Sequence, residues 1–273
     1  GPGVYSLVAH LQPESVEVVE GQTVRQGDEL GKCGNSGRSP VPHLHFHLQN
    51  TAAVGAPTIV TELHDVVIDE DGREILASTF VPDIDETVRN ISADETIRSL
   101  LTFDQPTVVF EHEGGHTEKL ELEVDLSNRR VMRSENGAKL FYNRNDLLFT
   151  IYDVVGNHRS ALHLLRLGLG RVPFEEPPGP HWSDHIPADY VVPHPLGWLL
   201  DFISPFTRRT GIRLDYEANR QDDEVTIRGE SERRNGEKPL IETEAILRDG
   251  VGIHAVTVTI RGRTRRIRNV TEE

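Results

Sequence analysis

The sequence predicts an all-β protein, mainly antiparallel β, with a few short helices. Three observations carry this reading. Apolar and polar residues alternate with period two through most of the chain, as in "EKLELEVDL" and "EVTIRGESER". Turn dipeptides separate such runs: Asp71-Gly72, Gly114-Gly115, Asn235-Gly236 and Asp249-Gly250. Glycine recurs early, at 21, 27, 31, 34 and 37. There it supplies positive φ and close backbone approach.

The elements divide into three segments. Residues 1–52 read as short strands and tight turns, starting with Val4 to Val8. Residues 53–101 read as a connecting region. In it "HDVVIDEDGREILASTFV" is a hairpin, and Ser92 with Glu95 fits a capping box for a helix over 93–101. Residues 102–273 read as a β-sandwich or curved barrel. Its strands are "PTVVFEH", "EKLELEVDL", "AKLFYN" and "DLLFTIYDVV", then "IRLDYEA", "EVTIRGESER", "IETEAILRD" and "GIHAVTVTIRGRTRRIRNV". "ALHLLRLGLG" fits either helix or strand. Residues 173–195, rich in Pro, His and acid, read as a long loop. "HPLGWLLDFISPF" reads as a helix near 196–204, ended by Pro205.

Composition excludes several classes. The net charge over 273 residues is −15, and an acidic surface repels nucleic-acid phosphate. The mean hydropathy is −0.42, and no apolar run reaches the roughly 18 residues of a membrane helix. Cys33 is the single cysteine, so no intramolecular disulfide is possible. The chain begins at Gly1, and its one methionine is Met132. With neither initiator nor signal peptide visible, it reads as a fragment or a processed product.

The chemistry concentrates in "PHLHFHLQN", residues 42–50. Period two puts His43, His45 and His47 on one strand face, and Leu44 and Phe46 on the other, where the apolar pair can anchor in a core. Imidazole is both a zinc ligand and a proton carrier near neutral pH. The bland alternative is a strand with a solvated histidine face.

The order of the surrounding motifs favours chemistry. Tyr5 to Leu11, Gly21 to Gly31, Gly34 to Ser39 and Pro42 to Phe46 follow one another as Tyr-x-x-x-x-His-Leu, Gly-x-x-Val-x-x-Gly-x-x-Leu-Gly, Gly-x-Ser-Gly-x-Ser and Pro-His-Leu-His-Phe. This series resembles the C-terminal part of the lysostaphin-type (beta-lytic) zinc metallopeptidase domain, and covers about the first 50 residues. The resemblance implies zinc as cofactor, with His45 as a metal ligand. It implies His43 as a catalytic histidine and His10 as its partner. It implies peptide bonds of bacterial peptidoglycan as substrate, in the cell envelope or outside the cell. His47 falls where the family varies and reads as a supporting or surface residue.

One motif is missing. The family takes two more ligands from His-x-x-x-Asp ahead of the Tyr…His strand. The nine residues before His10 contain neither His nor Asp. A catalytic zinc normally has three protein ligands. The expectation is weak zinc binding and little or no hydrolysis by this polypeptide alone. The alternative is a non-catalytic envelope-binding or regulatory protein with a degenerate peptidase domain. Retention of His10, His43 and His45 favours the enzyme part. A third class, a lipoyl- or biotinyl-type carrier or adaptor, shares the turn in "GQTVRQGDELG", but such modules need a modified lysine at an exposed hairpin tip, for which this sequence offers no convincing candidate, and they do not carry His-Leu-His.

Other signals weigh less. "HEGGH", His112 to His116, matches a zincin motif that works only on a helix. Two glycines would cost such a helix roughly 2 kcal/mol, so a hairpin turn is expected. "HWSDH", residues 181–185, reads as surface loop. "RGRTRRIR", residues 261–268, reads as a strand with one solvated basic face. Cys33 reads as structural.

Overall fold

The computed structural model describes residues 3–103, 105–187, 190, 211–233 and 238–271. The chain divides into two compact units. One is Gly1–Leu63 with Thr79–Asp83; the other is His64–Ser78 with Ile84–Glu273.

The first unit holds a three-stranded antiparallel sheet: β1 (Tyr5–Ala9), β2 (His45–Gln49) and β3 (Thr58–Ile59), in that order. Between β1 and β2 the chain runs as turns. Gly21, Gly27 and Gly37 have positive φ there. This segment is tied back to the start of the chain by the Leu11–Cys33 bridge and by the Gln12 N–H, which donates to the Lys32 carbonyl at 2.8 Å.

The second unit is one continuous sheet. It begins with β4 (Leu63–Glu70) and β5 (Arg73–Phe80), whose terminal residues Leu63, Thr79 and Phe80 are counted with the first unit, then β6 (Val88–Asn90) and helix α1 (Glu95–Leu100). Asp71 and Gly72 form the β4–β5 turn, both at positive φ. A first meander follows: β7 (Thr107–His112), β8 (Thr117–Val124), β9 (Arg130–Ser134), β10 (Lys139–Arg144), β11 (Leu148–Val155), helix α2 (Ala161–Leu169) and β12 (Arg171–Pro173). A second comprises β13 (His181–Ile186), β14 (Ile212–Gln221), β15 (Glu224–Ser231), β16 (Ile241–Arg248), β17 (Gly252–Ile260) and β18 (Arg263–Asn269). The meanders join where β18 pairs antiparallel with β7. At the far side β13 pairs parallel with β5, and β4 and β6 complete the sheet. The all-β class is as the alternation predicts. The described strands of this unit form a single hydrogen-bonded sheet.

Helix α2 explains the curvature of that sheet. It packs against β10 and β11 and against β15 to β18. Strands β11 and β15 stand eight positions apart in the sheet order, about 38 Å along a flat sheet at roughly 4.8 Å per strand. A helix about 10–12 Å across touches both only if the sheet curls around it. All nine α2 residues are accordingly buried. This settles the ambiguity of "ALHLLRLGLG": it is a largely apolar helix buried on every side, inside the core. The Tyr216 hydroxyl donates to the Leu167 carbonyl at 2.7 Å, and Arg166 pairs with Asp184 at 2.5 Å. The N-terminus of α2 is capped by Ser160 and by the buried Glu118 carboxylate, which accepts from the Ala161 N–H at 2.8 Å. Burial raises the Glu118 pKa, but hydrogen bonds from Ser134, Ser160, Ala161 and His112 outweigh it and hold the carboxyl below its usual range.

Several sequence expectations need correction. The N-cap of α1 is Asp94, not Ser92: Asp94 Oδ1 accepts from the Ile97 N–H at 2.9 Å. The Ser92 N–H is engaged instead by Glu175. Residues 173–195 are not one loop, because β13 lies within them. Its Trp182 and Ile186 are buried on one face, at period two. Prolines on both sides hid this strand, and pairing on both edges forms it. Strand β9 went unread, although Val131 and Met132 are buried. The expected helix near 196–204 and the Asn235-Gly236 turn lie outside the described residues.

Candidate functional site

The β1–β2 register brings the histidines together. Ala9 pairs with His45, Leu7 with His47 and Tyr5 with Gln49. His10 follows directly, opposite the entry to β2. It leaves β1 with φ of 61°, a left-handed conformation uncommon outside glycine. Its ring centroid lies 4.8 Å from that of His43 and 5.8 Å from that of His45. His43 precedes β2 and is positioned by the loop, not by the strand.

Gly34 is the connector. Its N–H donates to the His10 carbonyl at 3.0 Å, and its own carbonyl accepts from the His43 N–H at 3.2 Å. One peptide segment thus sets the spacing of the two histidine backbones. Only glycine fits here, since a Cβ would stand 2.4 Å from the Gln12 nitrogen.

Hydrogen bonds assign the ring protons. A carbonyl oxygen only accepts, so a ring nitrogen bonded to one carries hydrogen. His10 Nδ1 donates to the Ser36 carbonyl at 2.8 Å. His43 Nδ1 donates to the Val41 carbonyl at 2.8 Å, with Ser39 Oγ at 3.0 Å. Each ring therefore keeps its lone pair at Nε2. Neither Nε2 has a partner among the described residues. Two proton-accepting nitrogens thus sit on neighbouring rings.

Within β2, His45, His47 and Gln49 share a face. His45 Nε2 lies 3.0 Å from His47 Nδ1, and His47 Nε2 lies 3.1 Å from Gln49 Oε1. The opposite face departs from expectation. Leu44 and Phe46 are each 53 % exposed and anchor no core. The buried side chain of the strand is Gln49, at 3 % exposure.

Zinc tests this donor set. A catalytic zinc takes three protein ligands. Among the described residues no three His, Cys, Asp or Glu side chains are grouped to hold a metal ion. Two of the three neighbouring imidazoles direct Nδ1 at backbone carbonyls, and the third spends Nε2 on His47. The described residues do not by themselves make up a zinc site.

The competing motifs resolve into structure. "HEGGH" is the β7–β8 turn, with Gly114 and Gly115 at positive φ. His112 Nε2 lies 2.7 Å from Glu118 Oε2 and supports the cap of α2. In "HWSDH", Asp184 is taken up by Arg166. In "RGRTRRIR", Ile267 is buried, while Arg265 donates to the carbonyls of His158 and Arg159. Cys33 is exposed and not part of a core. Sequence reasoning missed Gln49 and the connecting role of Gly34. Period two, continued from His45 through His47, would have reached Gln49.

Comparison with known families matches residues 1–57 to the model for Peptidase family M23. No curated protein and no solved structure matches the chain. The matched segment contains β1, β2, the Gly34 connector and all four histidines of the cluster. Residues 1–57 are thus similar to peptidase family M23, the family of the lysostaphin-type peptidases.

Proposed function

We propose that residues 1–57 are the histidine-bearing part of a zinc metalloendopeptidase that cleaves peptide bonds of bacterial peptidoglycan, and that this chain alone does not cleave them. The observation supporting this reading is the His10–His43 pair. Its rings stand 4.8 Å apart, each with Nδ1 held by a carbonyl and Nε2 open. Such nitrogens accept a proton from the water that attacks the peptide carbonyl and return it to the amine that leaves as the C–N bond breaks. His45 is the metal-ligand position. The remaining donors come from outside the described residues, since none of these completes a set of three. The substrate assigns the site of action to the cell envelope or outside the cell. Among the described residues no helix is long and apolar enough to cross a membrane.

Calorimetric titration of this chain with zinc tests the reading, with His45→Ala as control and peptide release from purified peptidoglycan as the activity measure. Weak binding lost in His45→Ala, without release, is expected. Tight one-to-one binding with release would show that the chain completes its own site. No zinc signal in either protein, together with cosedimentation on peptidoglycan, would replace the enzyme reading with that of a non-catalytic wall-binding module.

A further inference from the structure

The face of β2 that carries His45 ends in a buried amide with no catalytic role so far. Gln49 is 3 % exposed. Its Nε2 donates to two backbone carbonyls, Thr51 at 2.7 Å and Ala53 at 3.1 Å. A side-chain NH2 has two hydrogens, and both are spent. The amide therefore cannot turn over without setting its oxygen against two carbonyls. Oε1 is left pointing at His47 Nε2, 3.1 Å away.

The consequence passes along the strand one proton at a time. Oε1 only accepts, so His47 Nε2 carries hydrogen. A neutral imidazole has one N–H and one lone pair, so the lone pair of His47 is at Nδ1. That atom lies 3.0 Å from His45 Nε2 and accepts from it. His45 then carries hydrogen at Nε2 and its lone pair at Nδ1. We propose that Gln49 is a positioning residue that sets the tautomer of His45 through His47, so that His45 offers Nδ1 and not Nε2 to whatever it binds. The same logic with opposite sign acts on its neighbours. His10 and His43 are held at Nδ1 by carbonyls and offer Nε2. One cluster thus presents two kinds of lone pair, sorted by backbone-anchored acceptors. The relevance of this sorting to peptide cleavage rests on the proposed function; the sorting itself does not.

The test is nitrogen-15 imidazole NMR on the full chain, in metal-free buffer and without substrate. At about pH 9, well above the roughly 6.5 of an ordinary imidazole, neutral rings report their tautomers directly. The wild type is expected to show N–H at Nε2 of His45 and His47, and at Nδ1 of His10 and His43. Gln49→Leu removes the terminal acceptor. His47 and His45 then populate both tautomers, while His10 and His43 keep theirs. His47→Lys places a group that can donate beside His45 Nε2, and His45 switches to Nδ1–H. That substitution is on a half-buried strand position and carries the test if Gln49→Leu does not fold. An Nδ1–H signal on His45 in the wild type, or an unchanged His45 in His47→Lys, overturns the proposal. An inactive, zinc-free protein leaves the measurement intact, so failure of the peptidase reading is distinguishable from failure of this one.

Discussion

His163 makes the stability of the second unit depend on pH, and the size of the effect follows from its surroundings. It lies on α2, 4 % exposed, and neither ring nitrogen has a hydrogen-bond partner among the described residues. Burial pushes its pKa down to about 4 from the ordinary 6.5, with His158 and Arg265 adding repulsion and Glu118 opposing them. The His158 ring stacks on it at 4.8 Å, and the Tyr190 ring lies 5.3 Å away. Between those two pKa values the unfolded chain binds a proton that the folded chain does not. Stability therefore falls as pH drops through this window. Taking 6.5 unfolded and about 4 folded, the loss between pH 7 and pH 5 is about 2 kcal/mol, and about 3 kcal/mol when complete. His163→Leu removes the titrating group and two unsatisfied nitrogens, each costing about 1–3 kcal/mol when buried. The variant should equal or exceed the wild type at pH 7 and lack this part of the acid loss. Urea unfolding of both proteins, followed by circular dichroism from pH 7 to pH 5, measures it. Equal pH slopes in the two proteins would refute the argument.

Two further substitutions test other parts of the structure. Gly34→Ala puts a Cβ 2.4 Å from the Gln12 nitrogen; the backbone must move, at about 1–3 kcal/mol. The Nδ1–H signals of His10 and His43 should shift together, and two unmoved signals would remove Gly34 from its connecting role. Arg166→Ala strands Asp184 beside a buried helix and should cost about 3–5 kcal/mol by urea unfolding. Arg166→Met with Asp184→Asn should recover most of that, and a single variant as stable as wild type would show the pair to be dispensable.

The sequence alone determined much of this protein, wherever local periodicity and tertiary partners agree. Alternation located most strands, and the Asp71-Gly72 and Gly114-Gly115 dipeptides marked turns that positive φ confirms. Ordered motifs around His10, His43 and His45 pointed to the segment that matches peptidase family M23, because spacing between glycines and histidines is a property of the chain. Tertiary structure decided what depends on a distant neighbour. "ALHLLRLGLG" is helical because a curled sheet surrounds it, and β13 is a strand because β14 and β5 flank it. The role of Gln49 is equally invisible in sequence. A glutamine is polar and usually exposed; only the carbonyls of Thr51 and Ala53 bury it and aim its oxygen at His47. Composition and spacing fix which groups a chain carries. The direction of each lone pair is set by acceptors that folding alone brings into reach.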